Sequence, residues 1–454
     1  MAGQAALRWL AAHGPRAATL LLASGFSSLL AARKERPMTE SPDRQRNAKR
    51  SLLPGKPWLL LIAALLLWSY FARPVYDFAF IAAGRVTDAV VARLGPSFFR
   101  EQRKDVVDRA LGQGDQIAAY LSVQRNAHGE QLAALDVSSA DAYLRSTEPL
   151  RARLRESLRY PPPGFEPRLA APLKETLLGE DEIAVYRELQ IPVLPGVDST
   201  GIYVRPKSAG ATDRLPLVIA ALGRGGMPAP SSDGKAPGLQ RSTRDLAWHA
   251  LQRGYAVWLP TFVHYGREGD DLRDRLTVRA WEAGTSLPSI EIAKVVRAID
   301  ALAQRTDIDA RRIAMIGHSY GGFYTLYATA LEPRIRVAVV SAYFNDREAV
   351  LDASEPYGFL DWRFPGSLAL WRDPAVAALV APRPLLIEAG SQDQLFPIAG
   401  ARRAAPKAAH IYEQLGVADR FRFMEFAGRH DFEGDEALKF IDRHLPRTNA
   451  PTGP

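Results

Sequence analysis

Gly317, Ser319 and Gly321 place a serine between two glycines, inside the stretch RIAMIGHSYGG from Arg312 to Gly322. Ile313–Ile316 is a short apolar run suited to a buried parallel strand. Beyond the motif, Phe323, Leu326, Tyr327 and Ala330 recur at helical spacing through Leu331. A serine on a sharp strand-to-helix turn is lifted clear of its sheet, and small flanking residues let two backbones pass close together. The helix that follows aims its free N–H groups and positive dipole end at the same spot. The chemistry this suits is nucleophilic attack by the Ser319 hydroxyl. A bare Gly-x-Ser-x-Gly carries little weight alone; the strand before it and the helix after it carry the argument.

A serine hydroxyl is a poor nucleophile unless a base takes its proton, and histidine is the usual base near neutral pH. The chain has eight: His13, His128, His249, His264, His318, His410, His430 and His444. In the α/β-hydrolase order of serine, acid and histidine, the base is one of the last three. His410 falls inside an expected helix and His444 at a helix end. His430 follows the strand expected over Arg420–Phe426, at the carboxyl edge of the sheet where ligands bind, and is the preferred base. His318 reads as a packing or pocket-wall residue. For the acid, Leu385–Gly390 runs as a strand into Ser391-Gln392-Asp393. Asp393 therefore leaves the sheet at the same edge, where it would fix the imidazole tautomer. Asp346, after the preceding strand, is the reserve. An oxyanion hole needs two backbone N–H groups. One is expected from Tyr320, the other from Gly223-Arg224-Gly225-Gly226, with Arg224 preferred and Gly225 next. This loop is no phosphate loop, since no Gly-Lys-Ser/Thr follows it.

These residues need a sheet to hold them. Val185–Val193 and Gly201–Arg205 read as strands joined around Pro195-Gly196, and Leu217–Ala221 as a fully apolar third. A helix over Thr243–Arg253, a strand over Tyr255–Leu259 and a long amphipathic helix over Leu287–Arg305 precede the serine strand. Val337–Val340, Pro384–Glu388, a helix over 398–415, Arg420–Phe426 and a helix over 433–444 follow. Such alternation predicts an α/β fold, a mostly parallel sheet with helices on both faces. An aromatic-rich insert lies between the strands near Ser341 and Pro384: Tyr343, Phe344, Tyr357, Phe359, Trp362, Phe364 and Trp371. It can line a substrate pocket or form an ordinary small core.

The chain has 454 residues, no cysteine and a net charge of +8, of which residues 1–56 supply +7. The remainder is nearly neutral, so no nucleic-acid footprint is expected on it. The absence of cysteine excludes disulfides, thiolate metal sites and a cysteine nucleophile. Pro57–Ala72, PWLLLIAALLLWSYFA, is the most apolar run and carries no charge. Its length is near the lower limit for a span, and the basic residues before it predict an N-terminus kept in the cytoplasm and a chain exported beyond it. The expected organisation is a basic tail over 1–56, a transmembrane signal anchor over 57–73, a helical stalk or cover over 74–179 and the catalytic domain over 180–447. Met38 is an alternative start. A cleaved signal peptide and a buried or interfacial helix are the competing readings of the apolar run. Within 74–160, Gly112-Gln113-Gly114 and Asn126–Gly129 are expected to interrupt helices, and Pro161-Pro162-Pro163-Gly164 to break them.

At LGRGG (222–226), GYAVWLP (254–260), DIDARRIAMIGHSYGG (307–322), APRPLLIEAGSQDQLFP (381–397) and FAGRHDF (426–432) the chain resembles the α/β-hydrolase superfamily. Within it, the resemblance is to the branch of dienelactone hydrolases, acetyl-xylan-esterase-like proteins and the catalytic domains of prolyl-oligopeptidase-like enzymes. It covers about 180–446 and implies Ser319, Asp393 and His430 as a triad. Two positions depart from the pattern: Leu222 stands where a histidine often precedes the oxyanion residue, and Arg429 where glycine often precedes the base. The expected function is a serine hydrolase, most simply a carboxylic-ester hydrolase acting through an acyl-enzyme on a small-molecule ester. No metal or organic cofactor is implied, since neither H-E-x-x-H nor a dinucleotide fingerprint occurs. A serine peptidase and a catalytically dead, membrane-tethered binding protein are the alternatives.

Overall fold

The structure, a computed structural model, describes residues 97–126, 135–167, 172–224, 241–263, 266–347 and 362–445, with Leu132 and Val350. The chain divides into two units after Val107. Of the first, 1–107, only the opening turns of a helix are described. The basic tail, the apolar run of 57–73, and Gly225 and Gly226 therefore lie outside the described residues. Among the described residues no helix is long and apolar enough to cross a membrane.

The second unit holds one sheet. Its strands are β1 (Lys174–Glu180), β2 (Ala184–Leu194), β3 (Val197–Pro206), β4 (Leu215–Ala221), β5 (Ala256–Pro260), β6 (Ile308–His318), β7 (Ile335–Ser341), β8 (Leu385–Gly390) and β9 (Phe421–Phe426). Their spatial order is β1-β2-β3-β5-β4-β6-β7-β8-β9. The β1–β2, β2–β3 and β3–β5 pairs are antiparallel, and every pair from β5 through β9 is parallel. The inner parallel strands β4, β5 and β8 are buried on both faces, which is why they read as continuous apolar runs, whereas β9 at the edge, FRFMEF, is only partly buried.

The helices are α1 (Ser97–Asn126), α2 (Ala140–Leu158), α3 (Arg241–Gln252), α4 (Gly266–Glu282), α5 (Leu287–Leu302), α6 (Tyr320–Leu331), α7 (Ser367–Leu370), α8 (Asp373–Val380), α9 (Ile398–Gln414) and α10 (Asp435–His444). Successive strand residues point to opposite faces. Leu217 and Ile219 accordingly join a core with α2, α5, α6, α8 and α9. Val218 and Ala220 join a second core with α3 and α10.

Three features differ from the sequence expectation. Helix α1 runs unbroken through Gly112-Gln113-Gly114; a glycine costs a helix about 1 kcal/mol but, unlike proline, leaves its hydrogen-bond ladder intact. The sheet begins at Lys174, inside the segment read as stalk or cover. β1 gives no period-2 signal because it is an edge strand with almost every side chain exposed. Helix α4 was not expected, since its charge-rich sequence GREGDDLRDRLTVRAWE lacks a broad apolar stripe.

The chain leads to opposite sides of the sheet from β4 and β6, the switch point of strand order outside whose carboxyl ends open α/β sheets bind ligands. The Gly-rich loop after β4 and the serine turn after β6 both emerge there.

Candidate active site

The serine turn is built by close backbone approach. A Cβ on Gly321 would collide with the Ala221 carbonyl and meet the Leu222 oxygen at 2.8 Å. Only glycine allows β4 to pass so near the first turn of α6. Ser319 itself adopts φ 55 and ψ −116, a non-glycine residue in a sparsely populated region that costs on the order of 1–3 kcal/mol. The turn is held by the Ser319 N–H, which donates to the Ser341 carbonyl at the end of β7 (2.8 Å). The Phe323 N–H donates to the Ser319 carbonyl (3.1 Å) and starts the helix.

Ser319, His430 and Asp393 are brought together across 111 and 37 residues of chain. His430 Nε2 lies 2.7 Å from Ser319 Oγ and Nδ1 lies 2.8 Å from Asp393 Oδ2. An ionised carboxylate only accepts, so it assigns the imidazole proton to Nδ1 and leaves Nε2 to accept from the Ser319 hydroxyl. The Asp393 side chain is 1% exposed and that of His430 22%. Asp393 Oδ1 accepts the Leu395 and Phe396 N–H groups at 2.8 and 2.9 Å. Burial pushes its carboxyl up, but the His430 hydrogen bond and these two amides outweigh it and hold the group below its usual range.

The acid and histidine loops are stitched to each other. The Ser391 N–H donates to the Phe426 carbonyl and the Gln392 N–H to the Gly428 carbonyl, both at 2.8 Å. Gly390 lies so near the Arg429 carbonyl that a side chain there would collide with it. Arg429 itself is exposed. The other candidates lie elsewhere. Asp346 pairs with Arg403 at 3.1 Å, His410 sits on the surface near Glu413, and the His444 ring packs on Phe440.

The loop after β4 passes directly beside the serine: a Cβ on Gly223 would lie 2.8 Å from His318 Nδ1 and 3.4 Å from Ser319 Cβ. Arg224 is the next residue, with its side chain exposed. Tyr320 opens α6, where the first amides of a helix have no intrahelical acceptor. Leu222, in place of the expected histidine, is buried in the second core. The His318 ring lies 4.8 Å from that of His430. Burial, then the nearby His430, push its imidazole down to about 4, so it stays neutral at working pH.

Phe396 stacks on His430 at 5.7 Å, and Trp362 stacks on Tyr320 at 5.7 Å. Of the aromatic insert, Tyr343, Phe344, Trp362, Phe364 and Trp371 are buried, and they pack in the main core beneath the site; Tyr357 and Phe359 lie outside the described residues. Two residues touching this region were not singled out from sequence. Arg273 of α4 lies over the Tyr320 ring at 5.0 Å. Glu388 is the one charge in the apolar strand β8, and that incongruity was the available signal.

The family model described as "Alpha/beta hydrolase family" matches residues 236–449. The chain is 29% identical over 154 residues to Bacillus subtilis YtaP, named as a hydrolase, covering 33% of this chain and 51% of that protein. It is 25% identical over 204 residues to carbohydrate esterase MZ0003 of an unknown prokaryotic organism, covering 37% and 44%. The chain thus spans about half the length of these relatives. Among solved structures, it superposes on a protein of Bacteroides fragilis named as an acetyl xylan esterase with TM-score 0.53 and 17% identity, covering 68% of this chain and 82% of that one. It also superposes on a glucuronoyl esterase from Solibacter usitatus with TM-score 0.50 and 20% identity, covering 68% and 94%. These likenesses establish the shared fold.

Proposed function

We propose, from the premise that residues 236–449 belong to the alpha/beta hydrolase family, that the chain is a serine carboxylic-ester hydrolase. The observation that carries this is the continuous hydrogen-bonded line from Ser319 Oγ through His430 to Asp393, anchored on a strained turn at the carboxyl edge of the sheet. Ser319 Oγ attacks the ester carbon as its proton passes to His430 Nε2. The oxyanion is received by the Tyr320 amide and a second amide from the loop at Arg224. The tetrahedral adduct collapses, and the leaving alkoxide takes the proton back from Nε2. Water then repeats the sequence on the acyl-enzyme, releasing the acid and restoring the Ser319 hydroxyl. Asp393 holds the imidazole tautomer throughout. Relatives named as esterases support an ester substrate.

The test is turnover of nitrophenyl esters of rising acyl length by the full chain, beside peptide anilides and labelling by a serine-directed phosphonate. Ester turnover with phosphonate labelling is expected. Anilide cleavage without ester turnover would make the chain a peptidase. The absence of both turnover and labelling would leave a binding protein.

The apolar run of 57–73 behind a basic tail supports a membrane-anchored chain with its catalytic unit on the non-cytoplasmic side. The protein is expected to stay with membranes through alkaline carbonate washing and to be digested by protease added from the non-cytoplasmic face. Release by carbonate would rule the anchor out.

A further inference from the structure

Glu388 is the single charged residue in β8, and its side chain is 0% exposed. By strand alternation it faces the same side as Leu386, toward α10 and the second core. Oε1 accepts the Glu433 N–H at 3.2 Å, within the short segment that joins His430 to α10. Oε2 has no hydrogen-bond partner among the described residues. The Glu388 backbone carbonyl accepts the Ala342 N–H at 3.0 Å, and the adjacent Ser341 carbonyl receives the Ser319 N–H. The Ser341 hydroxyl donates to the Asp431 carbonyl at 3.4 Å. The histidine loop is thus held by the Glu388 carboxyl, and the end of β7, which receives the serine turn, is held by the Glu388 backbone.

A carboxyl in such a place is costly to bury, and nothing in the packing of β8 requires one. An apolar side chain would fill the same volume but leave the Glu433 N–H without an acceptor, and with it the loop that carries His430. We propose that Glu388 is a positioning residue for the reaction proposed above: its buried carboxyl holds the Glu433 N–H and so fixes the loop that presents His430 to Ser319. The inference rests on that reading of Ser319 and His430.

Glu388 is also set apart by its charge state. Burial pushes its carboxyl up to about 7, the Glu433 N–H pulls it down, the Glu433 carboxylate adds to the rise, and the Ser341 hydroxyl would lower it only by turning from the Asp431 carbonyl to the carboxyl. The elements around it bring few other charges. His318 on β6 is neutral at working pH. On β9, Arg422 pairs with Glu436 of α10 at 2.9 Å and Glu425 with Arg402 at 2.6 Å. In the histidine loop, the Asp431 carboxylate accepts the Arg429 N–H. On α10, Asp435 pairs with Lys439 at 2.7 Å. A carboxyl raised in the folded state gives its full stability below the ordinary carboxylate range and loses it as pH climbs to about 7.

The test uses the full chain with Glu388→Ala and Glu388→Gln. Alanine removes the acceptor, and kcat is expected to fall about tenfold or more with KM little changed. Backbone amides of 429–434 should then exchange hydrogen faster. Glutamine keeps an acceptor without the ionisation, and it should restore both kcat and exchange protection. Its melting temperature should rise relative to wild type between pH 4 and 7, and the difference should level off above that. Glu388→Ala with unchanged kcat and unchanged exchange at 429–434 overturns the proposal, as does Glu388→Gln with loop exchange as fast as alanine's. A wild type inactive on every ester would defeat the esterase reading, while exchange and melting would still decide whether Glu388 holds the loop.

Discussion

Replacing Ser319 with alanine is expected to lower kcat for ester hydrolysis by about 10⁵- to 10⁶-fold, with the fold intact. The change removes a single oxygen. The contacts that make the turn are backbone contacts: the Ser319 N–H to the Ser341 carbonyl, and the Phe323 N–H to the Ser319 carbonyl. Gly321 still admits the Ala221 carbonyl. The side chain makes no capping bond to α6, so the helix start loses nothing. The loss is the 2.7 Å contact to His430, the only route by which the hydroxyl sheds its proton to this base. Calorimetric melting within a few degrees of wild type, together with lost turnover and lost phosphonate labelling, is the expected pair of results. Retained turnover at the wild-type rate would place the nucleophile elsewhere.

The size of that effect follows from how the parts depend on one another. Removing the serine or the histidine of a serine–histidine–acid unit costs about as much as removing all three members, and removing the acid costs less, because without nucleophile or base the residual rate comes from binding and oxyanion contacts alone. In the reading proposed above the oxyanion contacts come from backbone. The amide of Tyr320 is fixed by the start of α6, and the loop after β4 is fixed by the approach of Gly223 to His318 and Ser319. Neither depends on the serine oxygen, so the variant should keep whatever rate those amides give.

Much of this arrangement is legible in the sequence, for a physical reason. Parallel strands buried on both faces must be continuously apolar, so β4, β6, β7 and β8 announce themselves in sequence, and the residues just past their carboxyl ends become site candidates. Ser319 and Asp393 stand just past such an end and His430 just past the partly buried edge strand β9, which is why a linear reading could bring together residues so far apart in the chain. His410 and His444 could be set aside because both fall on helices, and the structure places both away from Ser319.

What escaped is equally physical. Edge strand β1 exposes nearly all of its side chains, and Glu175 pairs with Arg187 of β2 at 2.6 Å through charge rather than apolar packing, so its sequence carries no hydrophobic alternation. Helix α4 buries Arg273, Thr277 and Ala280 rather than a broad aliphatic stripe, and such a face resembles a solvated loop in sequence. The aromatic insert left two readings open, since ring count says nothing of where the rings point. The described rings face the core, and Phe396, outside the insert, is the ring stacked on His430. A single acid at a strand end, as Glu388 is in sequence, usually signals the strand leaving the core, whereas here the strand stays buried to its last residue.

Asparagine at Asp393 separates charge and orientation from packing, and it is expected to lower kcat by about 10⁴-fold. The amide fits the space of the carboxylate, and its oxygen can still accept the Leu395 and Phe396 N–H groups that hold Oδ1. Its NH₂ then faces His430 Nδ1, where two donors cannot meet. The imidazole must place its proton on Nε2 instead, and an Nε2–H cannot take the proton of Ser319 Oγ. KM should change far less than kcat, because the fault lies in the proton transfer. The stability of the pair should also diverge with pH in a fixed direction. A carboxyl held below its ordinary range in the folded state contributes stability that is fully present above that range and lost as pH falls through the lowered value. The melting-temperature gap between wild type and Asp393→Asn should therefore be widest and flat from about pH 5 to 8, and should close below about pH 4. A gap that instead opened on acidification would mean that Asp393 is protonated in the folded protein, and the acid of the site would have to be sought elsewhere.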